Sequence, residues 1–189
     1  IALPPGDGWQ GTTAALERRA GTTPAWRILR PARNCWRVAR ADRVAVLVDA
    51  APYFARLEQA LREARRSILI VGWDFDGRIR LRPDPPCGGP PSPPLGELLR
   101  ALVEMRPGLE IRILVWSVAV LHTPSASLPL ILGAPWQRHP RIRLRLDREH
   151  PIYAAHHQKL VCIDDAVAFA GGMDLTVGRW DTNRHAASD

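Results

Sequence analysis

The chain has 189 residues, 46% hydrophobic and 24% charged, enough for one compact domain with a sizeable core, which excludes wholesale disorder. A formal net charge of +7 and a pI near 10.5 favour phosphate-bearing partners: nucleic acid, anionic headgroups or phosphoesters. Cys35, Cys87 and Cys162 lack the C-x-x-C spacing of a zinc or redox site, and their odd number argues against a disulfide framework.

Residues 1–40, rich in Gly, Pro, Thr and Arg, read as an irregular lead-in with one short helix, and 41–189 as the domain proper. "RVAVLVDA" (43–50) predicts a strand. In 52–66, Phe54, Leu57, Leu61 and Ala64 recur at helical spacing behind Asp49 and Pro52. "SILIVGW" (67–73) is a continuous apolar run, as expected of a strand buried on both faces. The proline-dense 82–96 predicts a mobile loop or extended linker, ending at a helix over 95–106 with Leu95, Leu98, Leu99 and Leu102 on one side. A strand follows over 109–116.

"SVAVLHTPSASLPLILGAPW" (117–136) has no Asp, Glu, Lys or Arg, and reads as a short core helix with loops or as an apolar wall beside a lipid cleft. "RIRLRLD" (141–147) alternates cleanly, with Arg141, Arg143 and Arg145 on one face, either solvated or facing a headgroup or nucleic acid. Strands over 157–163 and 166–170 flank Asp164-Asp165 as a hairpin, with Cys162 a small core residue. Strands alternating with helices define an α/β domain whose central sheet is flanked by helices.

Lys159 is the only lysine; the other 25 of the 26 cationic side chains are arginine. Strand alternation puts His157 and Lys159 on one face about 6 to 7 Å apart, with His156 opposite and a poorer candidate. An imidazole beside an ammonium suits a phosphodiester. Histidine serves as nucleophile or proton donor, and lysine is a compact charge for the non-bridging oxygens that arginine's planar fork does not replace.

His157-x-Lys159-x4-Asp164, followed by Gly171-Gly172-x-Asp174, resembles the HKD signature of the phospholipase D superfamily. "GRWDT" with the following His185, and "SILIVGWDFDGRIRL" (67–81), resemble its lipid-cleaving, cardiolipin synthase-like branch. The resemblance covers 43–185 and implies a mixed, largely parallel sheet and chemistry without metal or cofactor. It implies that His157 attacks phosphorus or protonates the leaving alcohol, with a phosphohistidine formed on one of two histidines. It further implies that Lys159 neutralises the phosphate oxygens, and that Asp164, the third residue of the catalytic motif, supports its hairpin and electrostatics rather than touching substrate. Gly171 and Gly172 would admit the phosphate, and Asp174 would line the substrate site.

Such enzymes face two motifs against each other, and one lysine allows only one here. The expectation is the first half of a two-motif protein, the second half lying elsewhere in a longer chain, or a homodimer supplying it. Trp73 and Asp74, with Asp76, end a predicted strand and either line the substrate cleft or terminate the strand. Arg179, Trp180, Asp181 and His185 read equally as a structural cluster or substrate contacts, while His122, His139 and His150 lie outside any motif.

The leading reading is an enzyme that hydrolyses glycerophospholipid or transfers its phosphatidyl group to an alcohol. The alternatives are a homodimeric nuclease of the same superfamily, with nucleic acid the less favoured partner, and a phosphate-binding module without turnover. With neither a signal peptide pattern nor 18 consecutive apolar residues, a cytoplasmic or peripheral membrane location is expected.

Overall fold

The computed structural model describes residues 28–83, 89–117, 133–151 and 154–185, in two units, 1–46 and 47–189. The lead-in helix expected before residue 28, most of the apolar 117–136 segment, His122 and Cys87 lie outside the described residues. In the first unit, Asn34 closes a turn: its side-chain oxygen accepts from the Arg30 N–H and its amide donates to the Ile28 carbonyl.

The second unit is built on α1 (Ala50–Glu63), β1 (Ser67–Gly72), α2 (Leu95–Met105), β2 (Glu110–Trp116), a 3₁₀ turn at Pro135–Gln137, β3 (Ile142–Asp147), β4 (Lys159–Ile163) and β5 (Val167–Gly171). The sheet runs β3-β2-β1-β4-β5. β1–β2 and β2–β3 are parallel, and β1–β4 and β4–β5 antiparallel, so the sheet is mixed, with four of its five strands running in one direction.

One face holds the core. Ile68, Ile70, Ile111, Ile113, Val115, Ile142, Val161 and Ile163 pack against Phe54, Leu57 and Leu61 of α1 and Leu98, Leu99 and Leu102 of α2. Each such side chain contributes about 1.5–3 kcal/mol by leaving water. The other face differs from the expectation of two-sided burial: β1 alternates, and Leu69 remains 40% exposed. Its neighbour across β2 is the exposed Arg112, paired in register with the exposed Arg143. An unbroken apolar run does not separate one-sided from two-sided burial.

The strand expected over 43–50 does not form. Val44, Val46 and Val48 are exposed, and the helix already begins at Ala50. Their alternation has period two, but no strand among the described residues pairs with them, and unpaired alternation stabilises nothing. Arg141 separates from Arg143 and Arg145, because its guanidinium donates to the carbonyls of Val103, Arg106 and Leu109 behind α2.

The proline-dense stretch is fastened at both ends. The Arg82 N–H donates to Ser92 Oγ, the Ser92 N–H donates to the Arg82 carbonyl, and both side chains reach the buried carboxylate of Glu58 on α1. Arg62 closes on the same carboxylate at 2.6 Å. Burial alone raises the pKa of Glu58, but the hydrogen bonds from Arg82, Ser92 and Arg62 outweigh it and bring it down to about 2.

Because the folded-state value lies below the unfolded one, this contribution is complete above about pH 4.5 and is lost as pH falls toward about 2. Glu58→Gln is expected to lower unfolding free energy by about 2 kcal/mol at neutral pH. Urea titrations from pH 7 down to 2 should show the variant's deficit shrinking through that acid window.

Candidate active site at the carboxyl edge of the sheet

Register brings five strand ends together. β1, β2 and β3 end at Gly72, Trp116 and Asp147; β4, running the other way, starts there with Lys159, opposite Gly171 of β5. Ligands of open α/β sheets bind at this edge.

Lys159 begins β4 on the core-facing side and is buried. Its ammonium lies 3.1 Å from Asp174 Oδ2, both side chains at most 6% exposed, and donates to the His157 carbonyl at 3.3 Å. The other oxygen of Asp174 accepts the N–H groups of Trp73 and Asp74 at 2.9 and 3.2 Å. A parallel bridge between Phe75 and Leu175, with the Asp76 N–H on the Leu175 carbonyl, continues this contact. Tyr53 packs above, its phenol pushed up to about 12 by burial and by the Asp174 charge.

His157 precedes the regular strand and is exposed, its ring 6.4 Å from that of Trp73 in edge contact. Trp73 stacks on Trp116 at 5.3 Å, and Trp116 meets His150, so His150, which had no motif to mark it, packs near the site. Asp74 lines a narrow crevice with Lys159, Asp174 and Tyr53. The Asp76 carboxylate is forked onto Arg78. Arg179, Trp180, Asp181 and His185 line an open hollow of about 520 Å³ that shares Met173 with the crevice. There the Asp181 carbonyl accepts the Ala51 N–H, and its carboxylate meets His185 at 2.7 Å.

Asp164 does not join them. It lies at the opposite end of β4, where its carboxylate accepts the N–H groups of Arg65, Arg66 and Ser67 at 2.7–2.8 Å. Burial raises its pKa, yet those three donors and the Arg66 charge hold it below the usual carboxylate range. Although part of the same motif as His157 and Lys159, it stands apart from them here and ties the α1–β1 turn to the hairpin.

A close approach of backbone to backbone within the protein falls at Gly72. A Cβ at Gly171 or Gly172 would meet nothing within 4 Å, whereas one at Gly72 would stand 2.8 Å from the Asp74 carbonyl and 3.2 Å from Asp174 Oδ1. Asp147 carries no motif in the sequence and strand alternation makes His156 the poorer candidate, yet they form a pair at this edge: Nδ1 of His156 lies 2.8 Å from Asp147 Oδ2, and Nε2 lies 2.9 Å from the Gly72 carbonyl. Adjacency to His157 was the available signal for His156; Asp147 had only its place at a strand's end.

No family model matches the chain. It is 30% identical over 161 residues to a phospholipase D of Phytophthora infestans, covering 75% of this chain and 8% of that protein. It is 31% identical over 152 residues to human phospholipase D1, covering 75% of this chain and 13% of the relative. Over 55 residues it is 49% identical to rat phospholipase D1, covering 27% and 5%. The chain thus spans a small part of each relative. NucT from Helicobacter pylori superposes with a TM-score of 0.47 at 17% identity, over 68% of this chain and 70% of that one. The chain belongs to the phospholipase D superfamily.

Gly72→Ala is expected to cost about 1–3 kcal/mol, because the added carbon overpacks a backbone oxygen and the carboxylate that holds Lys159. Gly172→Ala, with open space around it, should stay within about 0.5 kcal/mol of the parent in the same denaturation measurement.

Proposed function

We propose that this chain supplies one half of a phospholipase D-type site. The activity would be hydrolysis of glycerophospholipid, or transfer of its phosphatidyl group to an alcohol, at a membrane surface. The carrying observation is the exposed His157 beside a buried ammonium at the carboxyl edge of the sheet. The relatives named phospholipase D favour the lipid reading over the nuclease.

In the proposed reaction a ring nitrogen of His157 attacks phosphorus and the bond to the headgroup oxygen breaks. The departing alkoxide takes a proton from the histidine of a second HKD motif, in the same longer chain or in a second copy. Water or an alcohol then attacks the phosphohistidine, returning a proton to that second histidine as the P–N bond breaks. The Lys159 ammonium has three N–H groups; Asp174 and the His157 carbonyl engage two, and the third is directed to a non-bridging oxygen. Asp174 offsets part of its charge, so the pair holds phosphate by a directed hydrogen bond rather than by excess charge. No helix among the described residues is long and apolar enough to cross a membrane; the proposed contact with lipid is peripheral.

Phosphatidylcholine and phosphatidylglycerol vesicles, with and without ethanol, test this on the protein that carries the chain. Phosphatidic acid or phosphatidylethanol should form, and His157→Ala should lower the rate by about 10²–10⁴ or more. Lys159→Arg should lose turnover too, because a planar fork does not fit the Asp174 crevice. No lipid turnover, with His157-dependent cleavage of DNA, would transfer the site to the nuclease reading.

A further inference from the structure

We propose that His156 is a positioning residue that fixes Lys159 through the Gly72–Trp73 peptide and Asp174. This rests on the reading above for its catalytic consequence, but not for its structural content. The His156 side chain is 14% exposed and each ring nitrogen faces an acceptor, Asp147 Oδ2 at 2.8 Å and the Gly72 carbonyl at 2.9 Å. A carbonyl only accepts, so the contact at Nε2 is an N–H donated to the Gly72 oxygen. The carboxyl of Asp147 is held below its usual range chiefly by the His156 bond, with the Glu149 N–H adding to it.

The Gly72 carbonyl belongs to the same peptide unit as the Trp73 N–H, and that N–H donates to Asp174 Oδ1 at 2.9 Å. In a trans peptide the two groups point in opposite directions, so one rigid plane has the imidazole on one edge and the Asp174 carboxylate on the other. The series Asp147, His156, peptide, Asp174, Lys159 alternates acceptor and donor at every step. Hydrogen bonds joined end to end polarise one another. It also crosses the sheet, from the end of β3 to the end of β1 and onto the start of β4. Losing the ring frees that plane to rotate, and the Lys159 ammonium moves with Asp174.

Side-chain amides separate this route from a general structural role. Gln carries its amide nitrogen about where the imidazole has Nε2 and can still donate to the Gly72 carbonyl; Asn reaches only toward Asp147. Hydrogen exchange at the Trp73 amide reads the peptide directly, whatever the reaction. His156→Ala and His156→Asn should each speed that exchange at least tenfold, and His156→Gln should retain most of the protection. On lipid vesicles kcat should fall about 10²-fold for Ala and Asn with KM little changed, and recover substantially in Gln, as expected when a charge is displaced by about 1 Å. Unchanged Trp73 protection in folded His156→Ala, or Asn and Gln behaving alike, would overturn the proposal. Absence of lipid turnover in the parent would count against the function proposed above and leave the exchange result to decide this one.

Discussion

An ammonium buried beside a carboxylate sets the terms for the rest of this edge. Removing a charge from water costs several kcal/mol, and burying it without a partner costs far more than a small domain tolerates. Lys159 is therefore present only because Asp174 is, and Asp174 is acceptable only because two backbone N–H groups and the ammonium satisfy it. Those N–H groups come from the turn after β1, which approaches so closely because Gly72 has no side chain. The strand end, the turn and the ion pair form one unit, and the exposed His157 is attached to its rim.

Three carboxylates do comparable work at separate places. Glu58 gathers two guanidinium groups and a hydroxyl to hold both ends of a proline-dense stretch. Asp164 gathers three N–H groups from the turn between α1 and β1. Asp174 holds the turn beyond it. Each fixes a connection that has too little apolar surface to fix itself, while the apolar face of the sheet supplies the bulk stability.

Periodicity made most elements legible. The spacing of Phe54, Leu57 and Leu61 marks α1, and the alternation in β3 and the turn pair Asp164-Asp165 mark their places. Pattern reports what a segment would do given a partner, and not whether the partner exists; Val44, Val46 and Val48 alternate without one. The site divides in the same way. His157 and Lys159 are legible because residues two apart in sequence stay together under any topology. Asp147 with His156, and Gly72 with Asp174, meet through strand order and register, which no local spacing encodes. Asp164 shows the converse: close in sequence to Lys159, it lies at the far end of the same strand.

That last separation gives the motif's spacing a mechanical meaning. Lys159 opens β4, Ile163 closes it, and Asp164 clamps the next position, so the strand crosses the sheet from edge to edge, about 16 Å at 3.3 Å per residue. The interval between lysine and aspartate is then a ruler cut to the height of the sheet rather than a reach between two reacting groups. Lengthening it by one residue would turn the ammonium onto the half-exposed face, and lengthening it by two would restore the face but carry the ammonium past its carboxylate. A distance fixed at one edge is thereby set by an anchor at the other.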